Sequence, residues 1–219
     1  MRAWAFAVGA GALALWAALA SVILGMPAPA VDLAAAVKAA LGASGVTHPV
    51  TAVLLNFRGY DTLLEVAVLL LAQVAMLAAG TLRAAPPVQA PPMLALVARG
   101  STPLMVMGAG YLLWAGASAP GGAFQAGAVL AAALVLLYLG GVMPAWGSPG
   151  LALRSGIAGG LLVFLAVAAL PSAGGALLQY PAGLAGALIV LVESALALSI
   201  GLLLGGLFLW LPRERGAAP

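Results

Sequence analysis

Residues 184–211 read LAGALIVLVESALALSIGLLLGGLFLWL, an apolar run in which Glu193 is the single charged residue. A helix needs about 20 mostly apolar residues to cross a hydrocarbon core about 30 Å thick, so this run predicts a membrane-spanning helix. Gly201 and Gly205 stand four apart in it, a spacing of small residues that favours close helix contacts in lipid. An acidic side chain at the centre of such a helix costs roughly 2.5–3.5 kcal/mol to insert. Glu193 is therefore expected to face protein or a water-filled cavity.

The composition of the whole chain agrees with a membrane protein. Hydrophobic residues make up 65% and charged residues 6% of the 219 residues, whereas soluble domains average about 45–50% and about 25%. So few charges exclude a water-soluble domain, and so much hydrophobicity excludes intrinsic disorder. The lack of cysteine excludes disulfides and thiolate metal ligands. The eight basic residues form no patch, so no nucleic-acid partner is expected.

The apolar runs predict an all-α, polytopic protein with about six transmembrane helices. They are bounded by proline, glycine or charge at residues 3–25, 62–82, 101–117, 123–142, 156–170 and 184–211. The first run has about 22 apolar residues, more than the roughly 7–15 of a signal-peptide core. It therefore predicts an uncleaved helix embedded in the lipid bilayer.

The basic residues are divided unevenly between the two sides of the membrane. Lys38 and Arg58 fall on one side. The side that carries both termini receives Arg2, Arg83, Arg99, Arg154, Arg213 and Arg215. Because cytoplasmic loops carry an excess of Lys and Arg, both termini are predicted to be cytoplasmic.

Residues 84–92, Ala-Ala-Pro-Pro-Val-Gln-Ala-Pro-Pro, form a stretch that disfavours helix and predicts a stiff linker. The linker separates a part with two spans, residues 1–83, from a part with four spans, residues 93–219. Each part starts and ends on the same side of the membrane, so either could exist as a separate polypeptide. The organisation suggests a fusion.

The densest group of polar residues is NFRGYDTLLE at residues 56–65. Asp61 and Glu65 stand four apart, a spacing at which like charges on a helix repel, and Arg58 is the nearest cation. If these carboxylates are partly buried, one of them could exchange protons. Thr62 and Glu65 also match a capping box that would only start a helix. Both interpretations remain open from the sequence.

Other polar residues are sparse. Glu193 could be a proton carrier, a cation ligand or the partner of a buried base, or it could form a structural hydrogen bond to a neighbouring helix. Pro120, Gly121 and Gly122 predict a tight turn between two helices, with Gln125 just inside the second helix. His48 is the single histidine, so an all-histidine metal or haem site is not expected, and a surface position is predicted for it. No cofactor and no metal are expected.

Two of these motifs resemble known proteins. Residues 50–65, VTAVLLNFRGYDTLLE, resemble the V-N-x-I-L-x-D-F-R-G-F-D-T-x-G-E stretch of the large A subunit of Mrp-type multisubunit Na⁺/H⁺ antiporters and of the E subunit of membrane-bound hydrogenases. Residues 120–127, PGGAFQAG, resemble the P-G-G-G-F-x-x-G hairpin of the antiporter B subunit (MnhB/MrpB). Residues 192–198 are similar to the last helix of that subunit. Asn56 stands where that family usually has Asp, and Leu64 replaces a Gly.

The resemblance implies a small membrane subunit of a complex related to respiratory complex I, in the cytoplasmic (inner) membrane of a bacterial or archaeal cell. Its partners would be other membrane subunits and the ions H⁺ or Na⁺. Glu65 and Glu193 would be protonatable or cation-contacting groups, and Arg58 and Asp61 would pair to hold the site open. The subunit would not be an enzyme on its own. The alternative is a purely structural subunit, and the identity of the complex stays open between antiporter, hydrogenase and other complex-I-like assemblies.

Overall fold

The computed structural model describes residues 2–27, 32–79, 88–170, 178–181 and 183–210. Within these ranges every regular element is a helix, so the prediction of an all-α protein is confirmed. The helices are α1 (Arg2–Leu24), α2 (Leu33–Ala40), α3 (Pro49–Ala52), α4 (Gly59–Ala79), α5 (Pro92–Ala115), α6 (Ala123–Leu139), α7 (Leu151–Ala169) and α8 (Ala185–Leu209). A 3-10 turn at Leu41–Ala43 and a π-helical segment at Val53–Phe57 complete the regular structure.

The chain divides into two units, and the first is Met1–Ala36. Its main element is α1, whose described side chains from Val8 to Leu24 are almost all exposed. Large apolar side chains such as Leu13, Trp16 and Val22 are each more than 60% exposed. A helix that is apolar on every side suits a lipid or protein environment, and the embedding of this helix in the bilayer stays a prediction.

The second unit, Val37–Pro219, is built around α8. This helix packs against α4, α6 and α7, while α5 packs mainly against α6. Small residues allow the close approach: a Cβ added at Gly127 would lie 2.7 Å from Ile200 Cγ2, and one at Gly160 would lie 2.6 Å from Ser199 Cβ. Close packing of this kind drives helix association in membranes, where the hydrophobic effect is weak.

Gly201 and Gly205 lie in one of these contacts. A Cβ at Gly201 would approach Leu130 to 2.9 Å, and one at Gly205 would approach Leu134 to 3.1 Å. The close helix contact predicted from their spacing is therefore confirmed, and its partner is α6.

Four helices in the described residues are long and apolar enough to cross a membrane, namely α4, α5, α7 and α8. The stretch Val8–Leu24 of α1 and the helix α6 are apolar but shorter. A multi-pass membrane protein is thus confirmed, while the count of six crossings and the cytoplasmic side of the termini stay predictions. Arg83, Arg213 and Arg215 lie outside the described residues, and the side chain of Arg2 is not described.

The predicted boundaries were wrong for two helices. The third span was predicted from residue 101, but α5 begins at Pro92 and contains Pro103. Proline at the first helical position loses no hydrogen bond, so Pro92 starts the helix instead of preventing it. The fifth span was predicted from residue 156, but α7 begins at Leu151 and includes Arg154. Arginine is a good helix former, and its long side chain reaches water from within a helix.

The proline-rich linker at residues 84–92 falls partly outside the described residues. Residues 88–91 carry no regular structure, and Pro92 belongs to α5. The division into parts 1–83 and 93–219 stays a prediction.

Candidate functional site

The motif at residues 50–65 folds as an irregular helical segment. α3 runs directly into the π-helical segment Val53–Phe57, and the N–H of Arg58, the residue that follows the segment, donates to the Val53 carbonyl at 2.7 Å. Two carbonyls of this segment accept side-chain donors: Thr62 Oγ1 lies 2.6 Å from Leu54 O, and Tyr180 OH lies 2.8 Å from Leu55 O. Non-helical backbone at membrane depth is tolerated where the protein satisfies it internally. π-helical turns occur often at functional sites.

The capping-box interpretation of Thr62 and Glu65 was wrong. α4 already begins at Gly59, so Thr62 lies inside the helix, and its hydroxyl donates to Leu54 O rather than serving the first turn of α4. The spacing of Thr62 and Glu65 does match a capping box. The sequence did not show that a π-helical segment would come almost directly before α4, which begins at Gly59.

Tyr180 supports the segment as a hydrogen-bond donor. Burial raises its pKa to about 12, and the charge of Glu193 adds to the rise. The phenol therefore keeps its proton at neutral pH and continues to donate to Leu55 O. No local sequence pattern indicates this contact, because Tyr180 and Leu55 are 125 residues apart.

The segment before α3 is fixed to the end of α5. The backbone N–H groups of Thr47 and His48 both donate to Ala117 O, at 2.9 and 3.1 Å. Thr51 Oγ1 donates to Gly116 O at 2.5 Å. These bonds join residues far apart in sequence, so the motif at residues 50–65 and the α5–α6 turn form one structure.

The α5–α6 turn forms the predicted helical hairpin. Gly122 N–H donates to Leu112 O at 2.8 Å, and Gly122 has a φ of +106°, a conformation that favours glycine. A Cβ at Gly122 would lie 2.7 Å from Glu193 Oε1. Glycine is needed here for two reasons, its backbone conformation and the approach of a carboxylate.

Glu193 is 5% exposed and lies in the interior of the second unit. Its Oε1 accepts the backbone N–H of Ala123, the first residue of α6, at 3.3 Å. The first turn of α6 contains no acidic residue of its own. Glu193 of α8 thus places a carboxyl group at the positive end of a neighbouring helix.

Glu65 and Glu193 line the same cavity, which has a volume of about 450 Å³. The wall of the cavity comes from α3, the π-helical segment, α4, the α5–α6 turn and α8. It includes the predicted hairpin residues Pro120, Gly121, Gly122 and Gln125, together with His48, Thr51, Thr62 and Phe124. Two carboxylates from distant parts of the chain therefore share one space.

Asp61 and Arg58 lie outside this cavity. Asp61 lines a neighbouring groove of about 600 Å³, in which Glu65 and Phe124 also take part. Arg58 forms an ion pair with Asp61, and the two side chains are 66% and 46% exposed. Exposed pairs stabilise a fold by about 0–1 kcal/mol. The structure thus brings Glu65 and Glu193 together and leaves the Arg58–Asp61 pair beside them.

His48 was predicted at the surface, but it is half-buried and lines the cavity. Within the described residues, no three of the His, Asp and Glu side chains come close enough to hold a metal ion. The cavity therefore presents separate titratable groups and not a metal-binding cluster.

Apolar helices of membrane-spanning length, a buried carboxylate on one of them and a cavity that a second carboxylate also lines define a polytopic membrane protein with an ionisable group in its interior. A family model described as a domain related to the MnhB subunit of Na⁺/H⁺ antiporter matches residues 93–209. The match covers more than half of the chain, and the chain belongs to this family. The resemblance of the hairpin and of the last helix to this subunit is thereby confirmed.

Two solved structures share the fold. A chain of the membrane-bound sulfane sulfur reductase (MBS), an archaeal respiratory membrane complex, matches 95% of this chain over 97% of its own length, with a TM-score of 0.74 and 21% identity. A chain of the Mrp complex from Dietzia sp. DQ12-45-1b matches all of this chain, with a TM-score of 0.69 and 22% identity. The chain spans 27% of the length of that Mrp chain. A search of curated proteins finds no significant relative.

Proposed function

We propose that the protein is a small membrane subunit of a multisubunit cation/proton antiporter-like complex, in which it contributes to the translocation of H⁺ or Na⁺ or to its coupling. Membership of the MnhB-related family supports this role over residues 93–209. The likeness to a chain of similar length in MBS supports a single subunit that combines both parts, residues 1–83 and 93–219. The complex would lie in the cytoplasmic membrane of a bacterium or an archaeon.

The shared cavity is the observation that carries the proposal. Glu65 of α4 and Glu193 of α8 both line it, although each lies within a helix of membrane-spanning length. Ionisable residues inside membrane helices are costly and commonly mark ion pathways or proton relays. A carboxylate can bind a proton or a hydrated Na⁺ and release it again. Two carboxylates in one cavity provide two successive positions for such an ion.

The exposure of Glu65 fits a position next to other subunits. Glu65 is exposed, and Leu64, Val68 and Leu71 of the same helix are each more than 60% exposed. An apolar helix surface around a carboxylate suits the contact of α4 with another membrane subunit. In that arrangement Glu65 would connect the cavity with the neighbouring groove and with the partner.

The test replaces each carboxyl in the assembled complex. Glu65→Gln and Glu193→Gln keep side-chain size and a hydrogen-bond acceptor but remove the ionisable group. We expect each variant to reduce cation-driven H⁺ movement in proteoliposomes by tenfold or more while the complex still co-purifies. Asp32→Asn is the matched control, because Asp32 lies outside the cavity and accepts the N–H of Ala35 at 3.0 Å. Unchanged transport in both glutamine variants would refute the proposal.

A structural role is the second candidate, and the bond from Ala123 N–H to Glu193 Oε1 favours it. If Glu193 only completes the start of α6, Glu193→Gln retains the acceptor and leaves transport unchanged. Glu193→Leu then loses the acceptor and lowers the yield of assembled complex. Loss of transport in Glu193→Gln with normal assembly would decide against the structural role.

A further inference from the structure

We propose that His48 is a proton-binding residue of the cavity, and that Thr51 holds it in the tautomer in which Nε2 takes up and releases the proton. The proposal rests on the proposed function, because it adds a third proton-carrying group to the cavity of Glu65 and Glu193.

The hydrogen-bond chain joins His48, Thr51 and Gly116. Thr51 Oγ1 lies 2.5 Å from Gly116 O and 3.2 Å from His48 Nδ1. A hydroxyl has one proton and can donate once. The Gly116 carbonyl has no proton to give, so Thr51 must donate to it. Thr51 Oγ1 is therefore the acceptor in the contact with His48, and Nδ1 of His48 must carry the proton that is donated.

This assignment fixes the tautomer of the ring. In neutral imidazole one nitrogen is a donor and the other an acceptor. With the proton on Nδ1, Nε2 has the lone pair that can bind a further proton. Within the described part of the chain the ring makes no other hydrogen bond. The backbone N–H of His48 is also held by Ala117 O at 3.1 Å, so the position of the residue is fixed at two points.

Proton uptake requires no rearrangement of this chain of bonds. When Nε2 binds a proton, the ring becomes a cation, but Nδ1–H still donates to Thr51 and Thr51 still donates to Gly116. When Nε2 releases the proton to a carboxylate, the ring returns to the neutral Nδ1–H form and the carboxylate becomes a neutral acid. The cavity of about 450 Å³ can hold several water molecules as carriers between these groups, since each water occupies about 30 Å³.

Among the described residues, few charged side chains lie around His48. α4 contributes Glu65 and α8 contributes Glu193, and both line the same cavity. The lining residues of the α5–α6 turn, from Pro120 to Gln125, carry no charge. Arg58 and Asp61 are paired beside the neighbouring groove. Histidine is the side chain that commonly changes charge between pH 5 and 8, and Glu65 and Glu193 are the carboxyl groups that line the cavity with it.

The tautomer can be measured on the full chain, because His48 is its single histidine. We would label histidine with ¹⁵N, reconstitute the chain in lipid nanodiscs and record the two ring nitrogens as a function of pH. At high pH we expect the pattern of the Nδ1–H tautomer. Thr51→Ser keeps a hydroxyl and should retain this pattern, whereas Thr51→Val removes the acceptor and should lose it. A wild-type ring in the Nε2–H form would overturn the proposal.

Transport in the assembled complex tests the role of the proton. We expect His48→Ala to lower H⁺ transport roughly tenfold or more, because a positioned proton donor and acceptor commonly contributes about 10²–10⁴-fold. Added imidazole should restore part of the rate. His48→Gln should flatten the pH dependence of transport between pH 5 and 8, and Thr51→Ser should preserve it. Co-purification of the partner subunits reports that each variant assembles.

The outcomes separate this proposal from the proposed function. If the glutamate variants lose transport while His48→Ala keeps the wild-type rate and pH profile, His48 carries no proton and the proposed function stands. If His48→Ala loses transport but imidazole restores nothing and the pH profile of His48→Gln keeps its shape, His48 only positions the segment and the proposal is refuted. If Glu65→Gln, Glu193→Gln, His48→Ala and His48→Gln all transport at the wild-type rate, both proposals fail.

Discussion

Glu193 and the Arg58–Asp61 pair show how differently the same structure treats its few charged residues. Glu193 is 5% exposed, receives a backbone N–H from α6 and touches the space that a Cβ of Gly122 would fill. Arg58 and Asp61 are 66% and 46% exposed and bind each other. In the first region the surrounding backbone determines the position and the hydrogen bond of the carboxylate. In the second region, water or a partner subunit can interact with either charge in place of its present partner, so the ion pair contributes little to the stability of the fold.

The largest effect is expected for Gly122→Ala in the buried region. The new residue must adopt a φ of +106°, and its Cβ would lie 2.7 Å from Glu193 Oε1. Backbone strain of about 1–3 kcal/mol together with overpacking of about 1–3 kcal/mol gives an expected destabilisation of about 2–6 kcal/mol. The melting temperature of the purified full chain in detergent measures it.

Gly159→Ala is the matched control, since nothing lies within 4 Å of a Cβ at Gly159. That variant should be neutral or slightly more stable, because alanine is the better helix former. Equal melting temperatures for the two alanine variants would show that the hairpin does not press on Glu193.

A smaller effect is expected for Tyr180→Phe, which leaves Leu55 O without its donor. An unsatisfied buried acceptor costs about 1–3 kcal/mol. The wild-type protein should also lose stability as pH rises from about 10 to about 12, since the folded phenol holds its proton up to a pKa of about 12 and the unfolded phenol releases it from about 10. The variant should lack this alkaline component.

Melting curves of both proteins at pH 8 and at several values above pH 10 check the two parts together. A variant as stable as the wild type at pH 8 would mean that the Leu55 carbonyl finds another donor. That result would make the π-helical segment less dependent on the 178–181 loop.

The smallest effect is expected in the exposed region. Arg58→Gln and Asp61→Asn should each change stability by about 0–1 kcal/mol, and the double variant should show a coupling of the same size. Unfolding of the four proteins in a double-mutant cycle measures this coupling. A coupling above about 2 kcal/mol would mean that the pair is as strongly held as Glu193, and the contrast between the two regions would disappear.

The sequence predicted well what depends on neighbouring residues. The apolar run around Glu193 predicted a membrane-spanning helix, and Pro120-Gly121-Gly122 predicted a helical turn. Both are properties of a short stretch, since helix length and the conformations open to glycine are local. The motif at residues 50–65 was recognised, but its π-helical segment and the hydrogen bond from Thr62 to Leu54 were not. Both features depend on the contacts that the segment makes with α4 and with Tyr180.

The tertiary structure alone decided which charged residues lie together. From the sequence, Arg58, Asp61, Glu65 and Glu193 were all candidates for ion translocation, and His48 was predicted at the surface. Packing of α8 against α4 and α6 brings Glu65, Glu193 and His48 to one cavity and leaves Arg58 and Asp61 outside it. Membrane insertion depends on the free-energy cost of exposing polar groups to lipid. That cost can be judged from the amino-acid composition alone. A shared cavity depends on the close approach of glycines and carbonyls from segments far apart in the chain. No local sequence pattern predicts that approach.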